Sequence, residues 1–205
     1  MNLFKQSLTA FRFLLLIMLV TGVIYPAIVT GIAQFIFPWQ ANGSLIENEK
    51  GLIGSELIGQ AFSSTDYFWG RPSATPLFPY NALMSSGSNL SPSNLYLLDR
   101  VKERVIMLEQ SDPQNQDAIP VDLVTTSASG LDPEISPAAA LYQVHRIAKA
   151  RHAKENDLKL LILNKMEKRT GRILGEPRVN VLALNLMLDN LYPKRNIPVR
   201  EKKKK

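Results

Sequence analysis

The sequence contains no cysteine, only two histidines, and no charged residue from Phe13 to Phe37. Without cysteine there is no disulfide framework and no thiolate metal site. His145 and His152 stand in no HExxH or other metal-ligand spacing. No GxxxxGK[ST] phosphate loop and no GxSxG nucleophile elbow occurs. Internal repeats are absent, and no basic face interleaved with aromatics suggests nucleic acid. These absences remove the common enzyme signatures and leave the uncharged run as the strongest signal.

That run, FLLLIMLVTGVIYPAIVTGIAQFIF, is long enough to cross a hydrocarbon core, which needs roughly 20 apolar residues of helix. A cleaved signal peptide has an apolar region of about 7–15 residues, shorter than this one. Lys5 and Arg12 precede the run, whereas Glu47, Glu49, Lys50 and Glu56 follow it. The positive-inside rule then puts the N-terminus in the cytoplasm and the rest outside. Trp39 suits the exit interface. Pro26 removes a helical donor and predicts a kink. Gly22 and Pro26 share a small-residue face suited to close approach by another membrane helix.

The net charge of +6 is a property of the ends: after Pro193 the tail KRNIPVREKKKK holds seven bases and one acid. Such a block reads as a disordered, solvated tail. The expected layout is a cytoplasmic N-terminus (1–12), a transmembrane helix (13–37), one small mixed α/β extracytoplasmic domain (38–193) and a basic tail (194–205).

Within the domain, Leu45-Ile46, Leu52-Ile53 and Leu57-Ile58, broken by glycines, read as short strands. Residues 65–94 are dense in Pro, Gly, Ser, Asn and aromatics, and predict an ordered, irregular surface that contacts something. Ser91-Pro92 predicts a helix start, followed by a stripe through Leu95, Leu98, Val101, Val105 and Leu108. Residues 119–124 read as a short strand. Ser136-Pro137 starts a helix through Val144 and Ile147, a further helix covers 157–168, and Asn180 caps the last one. The histidines are expected at the surface or at caps. Asp122, Asp132 and Glu134 are expected to cap turns rather than act as acids.

Several runs resemble those of the C subunit of the bacterial Kdp potassium-transporting ATPase. They are Tyr67–Ser73 (YFWGRPS), Tyr80-Asn81, Ser85–Asn89 (SSGSN), Asp122–Pro133 (DLVTTSASGLDP), Ser136-Pro137, Gln143-Val144 and the closing LGEPRVNVLALNLMLD. The resemblance spans the anchor and the domain up to about Pro193, with Glu134 standing where the family carries His. It implies a non-catalytic subunit of a complex that takes up potassium at the expense of ATP. Its partners would be a channel-like A subunit that carries the potassium, a B subunit of P-type ATPase chemistry, and a small F subunit. The family is associated with a catalytic-chaperone role that raises ATP affinity of the B subunit. It also implies that Ser127, Ser129, Gly130 and Gln143 are the candidates for direct nucleotide contact. The expected partner contacts are Gly22, Pro26, Trp69, Arg71, Asn81, Ser88, Asn89 and Asp132. No catalytic residue, metal or tightly bound cofactor is expected, and ATP is reached through the complex. The implied location is the bacterial inner membrane, with the domain in the periplasm. Two other readings are a subunit that itself binds nucleotide and a membrane-anchored external serine hydrolase.

Overall fold

The computed structural model describes residues 3–49 and 51–193; the expected tail, 194–205, lies outside them. Two compact units divide at Ser55 and Glu56.

The first unit is built on helix. α1 (Leu3–Leu19) and α2 (Tyr25–Ile36) are joined without a break through a π turn, Val20–Ile24. The helical run of Leu3–Ile36 is apolar and long enough to cross a membrane, and none of its most apolar window is buried within the chain. In water such exposure is untenable, because each fully buried large apolar side chain is worth about 1.5–3 kcal/mol. The π turn is the local answer to Pro26. Proline has no N–H and would clash with the carbonyl of Gly22, four residues back. Widening the turn lets Tyr25 N–H reach back to Val20 O. The backbone is re-satisfied internally, as a bilayer demands. A short helix α3 (Pro38–Ala41) and a left-handed Gly43, φ 90°, lead into the antiparallel hairpin β1 (Leu45–Asn48) and β2 (Gly51–Ser55).

The second unit is mixed helix and strand, with little strand. α4 (Leu95–Ser111) begins three residues later than Ser91-Pro92 predicts. Asn94 is its cap, with Oδ1 accepting Tyr96 N–H at 2.9 Å. Asn is at least as good a cap as Ser, and Ser91 is spent on Ser93 instead. Ser136 behaves as expected: it accepts Ala139 N–H and starts α5 (Pro137–Tyr142). The predicted single helix breaks at Gln143, and α6 (Val144–Arg151) continues from it. Asn115 Nδ2 donates to Tyr142 O, which the break sets free, at 2.9 Å. α6 ends on a left-handed His152, φ 54°.

The strand expected at 119–124 is instead a 3₁₀ turn, Val121–Leu123. Thr125 closes it, bonding Val121 O through both its N–H and its hydroxyl. Pro120 offers no ladder donor, and Leu123 turns into the core. α7 spans Glu155–Lys165 and stops before the predicted 168, because Glu167 pairs with Arg178 as a β-bridge. β3 (Glu134–Ile135) and β4 (Val179–Asn180) form one antiparallel pair, and Asn180 then caps α8 (Val181–Leu191). The core lies among α5 to α8 around Phe68, Ile147, Leu158, Ile162, Leu184 and Leu188, all fully buried.

Candidate functional site

The 65–90 stretch has almost no regular structure, yet its backbone is heavily bonded by side chains from elsewhere. Asn185 on α8 accepts Phe68 N–H and donates to Phe68 O, both at 2.9 Å. Gln143 does the same for Trp69, at 2.8 and 3.1 Å. Two buried amides thus stand in for a neighbouring strand. Arg146 lies 4.1 Å from the Trp69 ring centroid and donates to Thr65 O and, at 2.7 Å, to Gln143 Oε1. Its burial lowers its pKa to about 10, against the pull of Asp112 and Asp66. Arg151 stacks on Tyr67 and pairs with Asp189 at 2.7 Å. Cation–aromatic contacts of this kind are worth about 2 kcal/mol when desolvated.

Beyond Trp69 the chain is clasped to the 121–136 loop. Arg71 pairs with Asp132 at 3.2 Å and donates to Thr126 O. Ser73 donates to Gly130 O at 2.7 Å, Ser86 N–H bonds Ser129 O at 2.9 Å, and Thr126 donates to Ser88. Two glycines permit this closeness. A Cβ at Gly130, where φ is +67°, would come within 2.5 Å of Ser86 O, and one at Gly87 within 2.7 Å of Ala128 O. Tyr80 is the pillar between the layers. Its phenol donates to Arg71 O at 2.6 Å, and burial raises its pKa to about 12.

Held by this frame, residues 76–84 form a projecting tip. Leu77 and Tyr80 adopt left-handed backbone, with φ of 72° and 59°. Thr75 Oγ1 donates to Phe78 O, and Asn81 Nδ2 donates to Pro76 O. The reward for that strain is exposure: Leu77 is 89% and Leu83 93% accessible, with Phe78 and Met84 also exposed. Strained residues persist where the surroundings hold them, and they cluster at functional sites.

The expected contact residues separate into those that present themselves and those that build. Trp69 and Asn81 are buried, and both serve the loop frame. Arg71 and Asp132 meet each other. Ser88 is partly exposed, and Asn89 is exposed with φ 50°. Gly22 and Pro26 are exposed on the apolar helix. Of the four nucleotide candidates, Ser127, Ser129 and Gly130 share one turn, and Gln143 belongs to the buried bonding around Trp69. Ser127 Oγ accepts Gly130 N–H and Ser129 Oγ accepts Leu131 N–H, whereas Gln143 is 1% exposed and bonds Trp69, Ala139 and Arg146. Asp122 accepts both the N–H and the hydroxyl of Ser136, as a cap. His145 lies against Asp112, 2.7 Å from its carboxylate. No group of three metal-ligating side chains occurs among the described residues. Sequence reasoning missed Leu77, Leu83 and Met84. The signal was there in the largely apolar LFPYNALM, preceded by SATP and followed by SSGS.

One apolar helix of membrane-crossing length followed by a small mixed domain defines a single-pass membrane protein. Comparison makes this particular. The family model described as KdpC, K+-transporting ATPase, c chain, matches residues 7–190, so the chain belongs to that family. The potassium-transporting ATPase KdpC subunit of Herpetosiphon aurantiacus is 55% identical over 188 residues, covering 92% of this chain and 96% of that one. Its counterpart in Dechloromonas aromatica is 56% identical over 172 residues, 84% and 90% of the two chains. That of Paraburkholderia phytofirmans is 51% identical over 190 residues, 93% and 97%.

Proposed function

We propose that this chain is the non-catalytic accessory and assembly subunit of an ATP-driven potassium uptake complex. The apolar helix docks among the partners' membrane helices, and the loop frame presents its tip to the channel-like A subunit. The N-terminus is cytoplasmic and the domain periplasmic, as the Lys5 and Arg12 asymmetry favours. A P-type B subunit carries the phosphoryl chemistry, a small F subunit completes the complex, and potassium passes through the A subunit. The observation that carries this reading is the tip. Four large apolar side chains stand in water on a strained loop that much of the domain is spent in holding. Exposed apolar groups of this kind mark contact surfaces.

In this reading the subunit promotes ATP binding by the B subunit through assembly rather than by touching nucleotide. Gln143 supports that, since it is 1% exposed and both ends of its amide are spent on internal bonds. A serine hydrolase is disfavoured on the same ground, because a nucleophile needs an oriented base, and the histidines serve Asp112 and a helix end. The test has two parts. A complex expressed without this chain should fail to assemble or lose potassium-stimulated ATPase activity; normal pumping would defeat the proposal. A reporter fused after Lys205 should be active outside the cytoplasm, and a cytoplasmic signal would reopen direct nucleotide contact.

A further inference from the structure

Tyr96, Arg100 and Arg104 recur every four residues on α4 and so share one face. That face lines a cavity of about 370 Å³, closed on the other side by the loop frame through Ser73, Thr75, Ser88 and Thr126. Among the described residues, no Asp or Glu lines it. Arg104 is half-buried, and burial lowers its pKa. Among the described residues, the Tyr80 phenol and Arg100 are the groups that act on it, and neither neutralises it. Among the described residues its polar contact is the Met107 sulfur, at 3.6 Å. A partly desolvated cation with no anion beside it is poorly served, so this face has room for an anionic partner. Arg100 is little better served. Its pair with Glu103 is 3.7 Å long and exposed at both ends, the kind worth little.

The hydroxyls sort by where their protons go. Ser73 donates to Gly130 O, Thr75 to Phe78 O, and Thr126 to Ser88 Oγ. Ser88, having accepted that bond, keeps its own proton to give. Two guanidinium forks and the Ser88 hydroxyl therefore border one cavity, with the Tyr96 phenol also among its lining. A tetrahedral oxyanion offers enough acceptor oxygens for both forks, in the bidentate geometry that arginine favours. We propose that this cavity is a phosphate site, in which Arg104 and Arg100 clamp the group and Ser88 donates a third bond. The phosphate is either the free ion or the headgroup of an anionic lipid, and the two share this chemistry.

The full chain in phosphatidylcholine nanodiscs is titrated with inorganic phosphate against chloride at matched ionic strength, reading ³¹P line width and thermal midpoint. A second arm replaces added phosphate by phosphatidylglycerol in the disc. A saturable response in the first arm identifies the free ion, and one confined to the second identifies the headgroup. Arg104→Gln should weaken either response about 10–100-fold, the worth of a charged hydrogen-bonded contact. Arg100→Gln, on an exposed side chain that leaves the fold intact, should weaken it too, and Ser88→Ala less. No saturable response in either arm overturns the site, as does a response that both arginine variants retain. If phosphate has no effect while Arg104→Gln weakens co-purification with the other subunits, the guanidinium meets a partner's carboxylate and the proposal fails.

Discussion

Asn185 holds both backbone groups of a single residue, Phe68, whose own side chain is fully buried. A leucine at 185, of the same branched shape though larger, would orphan a buried N–H and a buried C=O. Each orphan costs about 1–3 kcal/mol, so Asn185→Leu should destabilise the full chain by about 2–5 kcal/mol in thermal unfolding. An unchanged midpoint would mean that the amide is not what holds this loop. Tyr80 gives a second residue-scale test through its proton. Its ordinary pKa near 10 rises to about 12, chiefly because burial disfavours the phenolate. For an acid raised in the fold, the linked stability is complete below about pH 10 and is lost as pH climbs towards 12. Tyrosinate absorbance should therefore show a late-titrating component near pH 12 that Tyr80→Phe diminishes. If the titration ends near pH 10 in both proteins, Tyr80 is not the buried pillar described.

At the scale of elements, the apolar helix is the part with least at stake inside the chain. A Cβ at Gly22 would meet nothing within 4 Å. Gly22→Leu should therefore leave the thermal midpoint of the isolated chain unchanged within about 0.5 kcal/mol. It should nevertheless reduce co-purification with the other subunits, where small residues let helices approach. Wild-type assembly would show that this face meets only lipid. The same scale decides what could be read in advance. The apolar run, the first two of the three glycine-broken strands (Leu57-Ile58 is a turn) and the caps at Ser136 and Asn180 were legible because each depends on neighbours in sequence. Ser91-Pro92 misled because Asn94, three residues on, is an equally good cap and already lies beside the first turn of the helix. The break at Gln143 was hidden because its cause, the backbone of Trp69, lies 74 residues away. The strand expected at 119–124 failed because a turn closed by Thr125 outcompeted a ladder for which Pro120 has no donor. In the loop site, aromatics and polar residues announced an ordered surface. Which of them face outward depends on tertiary bonds, and so buried Trp69 and Asn81 looked as available as exposed Leu77.

For the whole molecule, stability and assembly pull against each other at the tip. Leu77 sits at φ 72° with 89% of its surface in water. A left-handed conformation costs a non-glycine residue about 1–2 kcal/mol, and such exposure returns almost nothing to the isolated chain. Glycine would adopt this φ without strain, less the extra entropy that it loses on folding, about 0.5–1 kcal/mol. Leu77→Gly should therefore leave the chain as stable as before or more stable by up to about 1.5 kcal/mol. Assembly should move in the opposite direction, since truncating an anchor at the centre of an interface costs about 2–4 kcal/mol. Leu83→Ala, at 93% exposure, should do the same without the gain in stability. Co-purification with the partner subunits and potassium-stimulated ATPase activity should fall together in both variants, while thermal midpoints hold or rise. A tip that serves only to cover the domain would give the reverse, lost stability with intact activity, and so the sign of the Leu77→Gly effect separates a docking surface from a lid on the core.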